Sequence, residues 1–133
     1  MNFHEGKWDP PQRATFIGNN GLGKCPRISM DNNIIYNYKG DLYECKYENH
    51  KWTGPIKFPD QINSDKFECV GSMASDESMY YASHREGTKG RCDIFYSKYL
   101  NGSYETPVNI DVFNSDRSEC NILISPKNDS HYD

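Results

Sequence analysis

The stretch Asp93-Ile-Phe-Tyr-Ser-Lys-Tyr-Leu-Asn-Gly-Ser-Tyr-Glu-Thr-Pro107 reads as one complete β-hairpin. Asn101-Gly102 is the dipeptide that a two-residue turn of the primed type needs, because both central positions take positive φ. Before it, Ile94, Tyr96 and Lys98 point one way and Phe95, Ser97 and Tyr99 the other, the period of a strand. Tyr104 stands five residues after Tyr99 and runs into Pro107. The same arrangement occurs twice more. Phe3 precedes Trp8 by five around Glu5-Gly6, and Tyr47 precedes Trp52 by five around Asn49-His50. Each of these tryptophans also leads into a proline, Pro10 and Pro55.

The agreement continues downstream. Ile62-Asn63-Ser64-Asp65 followed by Glu68-Cys69 matches Phe113-Asn114-Ser115-Asp116 followed by Glu119-Cys120. Polar turns then enter short aromatic strands at Ser29–Tyr36, Ala74–Tyr81 and Ser125–Tyr132. The main difference in spacing falls in one loop, between Tyr81 and Asp93, which is where repeat arrays accept insertions. The middle unit carries four strands, near Cys69–Ala74, Met79–Ser83, Asp93–Tyr99 and Ser103–Ile110. Nowhere does an apolar stripe of helical period reach helical length. The expectation is therefore all-β, a β-propeller fragment with about two complete four-stranded blades and partial blades at both ends. Its units are 1–24, 25–68, 69–118 and 119–133.

Composition agrees with half-buried strands. Of 133 residues, 35% are hydrophobic and 14% aromatic, ten of them tyrosine; aromatics at that level are the wrong signature for disorder. The formal charge of −4 argues against a nucleic-acid partner, which selects a basic excess. No apolar run is long enough to cross a bilayer as a helix, so no membrane insertion is expected. The first residues do not have the pattern of a signal peptide.

Ala74-Ser-Asp-Glu-Ser-Met-Tyr-Tyr-Ala-Ser83, then Arg85, Gly87 and Gly90, then Asp93-Ile-Phe-Tyr-Ser97, resembles the TolB-type, WD-repeat-like β-propeller family. Asn101-Gly102, Tyr104, Pro107-Val108-Asn109-Ile110 and Asn114-Ser115 look like that family's next hairpin and linker. The resemblance spans residues 25–133, with a fainter trace back to Phe3. It departs from the family's Ser-Pro-Asp-Gly turn in two units, where Met30 or Ser75 replaces the proline. Asn32, Glu77 and Asn128 stand where the glycine would be. Glu is a poor left-handed residue, so the middle turn is expected to be shaped differently. The resemblance implies a propeller, which at about 4–8 blades is larger than this chain. The chain reads as a piece of one, with a ring of several copies, a homo-oligomer, as the alternative. Related propellers are often periplasmic; the compartment of this chain stays open.

Few residues suggest chemistry. Gly18–Cys25 approaches a phosphate-binding loop, but cysteine replaces the needed hydroxyl and Pro26 blocks the following helix. Glu68 and Glu119 occupy equivalent places before inner strands, as channel-mouth carboxylates or as anchors for loop amides. His84 and Arg85 open a basic loop, His84–Arg91, which suits an acidic ligand or is simply a long exposed loop. The cysteines Cys25, Cys45, Cys69, Cys92 and Cys120 show no C-x-x-C pair, so no metal site is expected and the thiols read as small buried or edge residues. Asn101-Gly-Ser and Asn128-Asp-Ser fit a glycosylation sequon but read as turns. No G-x-S-x-G elbow or other catalytic constellation is present, and no cofactor is expected. The leading reading is a non-catalytic propeller module that binds a protein or peptide at Glu68, Glu119, His84 or Arg85. The competing one is part of an enzyme's propeller, from a glycoside hydrolase or a serine peptidase.

Overall fold

Three aromatic hairpins set the frame of the chain, seen here in a computed structural model that describes residues 3–15, 23–29 and 31–125. In the first, β1 (Phe3–His4) and β2 (Lys7–Trp8) pair with Phe3 opposite Trp8. Tyr47 lies opposite Trp52, and Tyr99 opposite Tyr104, in the other two. The ring centroids are 5.0, 5.1 and 5.0 Å apart, tilted by 54°, 54° and 55°. Each turn carries two consecutive positive-φ residues, Glu5-Gly6, Asn49-His50 and Asn101-Gly102, as the primed turn demands. Cross-strand ring pairs of this kind contribute about 0.5–1.5 kcal/mol beyond their burial.

Two antiparallel four-stranded meanders follow. The first runs in the order β3 (Lys24–Ile28), β4 (Ile34–Tyr38), β5 (Asp41–Glu48), β6 (Lys51–Lys57). The second contains β7 (Glu68–Met73), β8 (Met79–Ser83), β9 (Asp93–Ser97) and β12 (Val108–Asn109), in that order. Its tip is the hairpin β10 (Tyr99–Leu100) with β11 (Ser103–Tyr104). The expected third and fourth strands of this unit are thus each split. The break falls where Ser97 Oγ donates to Glu105 O (2.5 Å) and Glu105 N–H to Lys98 O (2.8 Å). Among the described residues there is no helix, and no sheet closes on itself.

The linkers after both sheets fold back with the same clasp. Asn63 accepts from Leu42 N–H (2.7 Å) and donates to Leu42 O (3.0 Å). Asn114 accepts from Ile94 N–H (2.7 Å) and donates to Ile94 O (2.8 Å). The turns Ser29–Asn33 and Ala74–Ser78 also close alike, with φ of 61° at Asn32 and 65° at Glu77. This corrects the expectation that the middle turn differs. Glu77 accepts a left-handed conformation costing about 1–2 kcal/mol. Asp76 Oδ1 holds Ser78 N–H (3.0 Å) and Tyr104 Oη donates to Glu77 O (3.1 Å), which ties the turn down.

The core has two parts on opposite faces of the second sheet. Tyr81 and Phe95, paired across β8 and β9, join Met79, Ile35, Leu42, Phe58 and Ile62 in a cluster between the two sheets. Their neighbours Ala82 and Ile94 face the other way, with Cys92, Cys69, Ile110 and Ile122. Residues 119–125 form no strand, but they lie along the edge strands β3 and β7. Ile124 N–H donates to Ser72 Oγ of β7 (3.0 Å), and Arg27 of β3 donates to Asn121 Oδ1 (2.6 Å). The third turn, at Ser125–Tyr132, and Gly18–Leu22 of the phosphate-loop lookalike lie outside the described residues except for Ser125. The described end of that lookalike, Lys24-Cys25, begins β3 rather than a helix.

Candidate functional site

Glu68 begins β7 and is wholly buried. Its carboxylate accepts from Ser64 N–H (3.1 Å), Ser64 Oγ (2.6 Å) and Ser83 Oγ (2.9 Å). Arg85 completes the set at 3.4 Å. The guanidinium also donates to Ile62 O (2.5 Å) and lies over the Tyr81 and Phe95 rings at 5.1 and 5.3 Å. A buried carboxylate needs this many partners to stay folded in. Glu119 repeats the local part of the device, accepting from Ser115 N–H (3.1 Å) and Oγ (2.6 Å). The shared Asn-Ser-Asp…Glu motif therefore encodes a loop anchor. The structure joins Glu68 to Arg85 and leaves Glu119 on its own loop.

The basic loop is partly exposed but turns backbone amides toward the sheet. Lys89 N–H and Gly90 N–H donate to the buried Asp93 at 2.7 and 3.2 Å, and Lys89 Nζ pairs with Asp111 at 3.1 Å. Burial pushes the Asp93 carboxyl up, but the Lys89 amide, the Asn109 carboxamide, the Gly90 amide and the Lys89 charge outweigh it and hold it below the ordinary carboxylate range. Arg85 goes to Glu68, as above. His84 packs against Phe67, the ring centroids 5.6 Å apart and tilted by 49°, and brings Nε2 to 3.6 Å from Cys69 Sγ. Glu86, Gly87, Lys89 and Arg91 are exposed, as in a long exposed loop, while the first two side chains, His84 and Arg85, pack against the sheet.

Around His84 the structure assembles what residue spacing kept apart. The sulfur atoms of Cys69, Cys92 and Cys120 lie within 4.8 Å of one another, with Cys69 and Cys92 at 3.6 Å. A Cys92 hydrogen bond pulls the Cys69 thiol down to about 6; burial opposes, and His84 and Cys120 assist. The same bond, with burial, pushes Cys92 up. A metal needs ligands close in space, and here they come from segments far apart in the chain. Only the recurrence of Glu-Cys at 68–69 and 119–120 hinted at it.

A second feature is open to solvent. A cavity of about 330 Å³ separates the β5–β6 face from the β10–β11 hairpin, lined by Glu44, Lys46, Phe58, Glu77, Tyr99 and Tyr104 among others. Burial raises Glu44, with Lys46 and Asn33 lowering it in part. Burial, then Glu44 and Glu77, push Tyr104 up, so its hydroxyl stays a donor. Comparison with protein-family models, with curated proteins and with solved structures finds no match for this chain.

Proposed function

We propose that the two meanders are adjacent blades of a TolB-type β-propeller, and that the chain is a non-catalytic module binding an extended protein or peptide segment. The repeated Asn clasp, the repeated Ser–Glu anchor and the packing of β7 on β3, β4 and β5 support the blade reading. Inner strands that gather side by side, here β3, β7 and residues 119–125, are what a propeller axis requires. The binding reading rests on one observation, the inter-sheet cavity walled by Tyr99, Tyr104, Glu44 and Lys46. Rings with a few placed charges are the usual lining of a binding site. Glycoside hydrolysis needs two carboxyl groups facing a sugar about 5–10 Å apart, whereas Glu68 spends its oxygens inside the fold.

Selection of displayed peptides against the folded chain tests this. The enriched peptide should move the amide resonances of Glu44, Lys46, Tyr99 and Ser103, and Lys46→Glu should weaken it by about tenfold, or 1.4 kcal/mol. Failure of any peptide to enrich over scrambled controls, or shifts confined to other surfaces, would sink the proposal.

A further inference from the structure

Four metal-ligating side chains from four separate segments converge at one end of the second sheet. Cys69 is the second residue of β7, His84 directly follows β8, and Cys92 directly precedes β9. Cys120 comes from the segment beyond Glu119. Cys69 Sγ is 3.6 Å from both Cys92 Sγ and His84 Nε2, and the three sulfurs lie within 4.8 Å. A tetrahedral zinc ion has bonds of about 2.3 Å to sulfur and about 2.0–2.1 Å to nitrogen, so its ligand atoms sit roughly 3.6–3.8 Å apart. The Cys69 edges already match.

We propose that Cys69, Cys92, Cys120 and His84 form a Cys₃His site for a thiophilic divalent ion, zinc by its ligand chemistry, which staples residues 119–125 to the second sheet. The His84 imidazole turns on its own side-chain torsions to bring Nε2 from Cys69 onto the shared ion. Three thiolates select zinc over hard cations, and four protein ligands make a closed, structural site.

The backbone holds the ligand segments in place. His84 N–H donates to Phe67 O (3.0 Å), Glu119 N–H to Cys92 O (2.7 Å) and Arg91 N–H to Arg117 O (3.1 Å). Cys92 and Ser118 form a parallel bridge. The ligand set is also not a by-product of the repeat. Aligned through the strand pairings, the first sheet has Lys24, Lys39 and Gly40 where the second has Cys69, His84 and Cys92. Cys25 and Cys45 lie outside the cluster and serve as internal controls.

Cobalt(II) titrated into the reduced, metal-stripped chain is the test, since tetrahedral cobalt thiolates absorb strongly in the visible and near ultraviolet. One equivalent should bind, zinc should displace it, and zinc should raise the urea midpoint. Cys92→Ser and Cys120→Ser should each lower the sulfur-to-cobalt band by about a third and weaken cobalt binding by about tenfold or more, while Cys25→Ser and Cys45→Ser leave both intact. His84→Ala should weaken zinc by about tenfold or more against a chromophoric chelator. Cys120 is exposed, so its variant should keep the far-ultraviolet spectrum of the parent and separate lost ligation from lost folding. Absence of the tetrahedral cobalt spectrum, or an unchanged band intensity and cobalt affinity in folded Cys120→Ser, would overturn the site. Unchanged zinc affinity in His84→Ala would overturn the assignment of the fourth ligand.

Discussion

Asp93 shows how much one side chain carries when burial and hydrogen bonding oppose each other. It is fully buried, yet two loop amides and Asn109 Nδ2, at 2.7 Å, turn toward its carboxylate. These donors favour the charged form, so its native pKa lies below the unfolded value, which is about 3.9. The unfolded chain therefore takes up the proton first as pH falls. The stabilisation is complete above the unfolded value and is lost as pH drops through the native one. Urea midpoints of the wild type and Asp93→Asn should differ most above about pH 5 and converge as pH falls below the unfolded value. A constant gap would mean that Asp93 acts by shape rather than charge. The Asp at 93 was legible as a strand start, whereas its donors were not, because Lys89, Gly90 and Asn109 reach it only once the long loop folds back.

At the scale of elements, the long β8–β9 loop is the piece whose reading changed most. Its charges suggested solvent, but its end docks on residues 115–119 through Arg91 N–H and Cys92 O. Gly90 sits at the closest approach, where an added Cβ would come within 1.4 Å of Arg117 O. Backbone cannot yield as a flexible side-chain tip can. Gly90→Ala should therefore cost about 1–3 kcal/mol and lift residues 117–120 off the loop. The buried Cys92 should then react faster with a thiol reagent in the native state, while the exposed Cys25 reacts as before. Mass spectrometry after timed alkylation separates the two, and unchanged Cys92 labelling would show that this docking is not what covers the thiol. The hairpins behaved differently. Asn101-Gly102 and its flanking tyrosines were read in register from spacing alone, because turn and ring pair lie within one short segment.

For the whole molecule, the contact that matters is the one between the sheets. Gly71 on β7 lies where a Cβ would meet Met79 Cε at 2.8 Å and Leu42 Cδ1 at 3.1 Å, so the two sheets approach closely there. Gly71→Val should overpack this seam and cost about 1–3 kcal/mol, read as a lower urea midpoint with an unchanged slope. A fall in the slope instead would mean that the sheets no longer unfold as one unit. The chain's own residues dictated an all-β architecture, its hairpins and their registers, and the recurrence of Asn-Ser-Asp…Glu-Cys. Each of these is encoded by strand period and turn chemistry over a few neighbouring positions. Tertiary structure alone decided that Glu68 is buried under Arg85, that Glu77 takes the same turn as Asn32, and that Cys69, His84, Cys92 and Cys120 share one corner. Those outcomes depend on how sheets stack and where loops return, and contacts between segments tens of residues apart leave no local period to read.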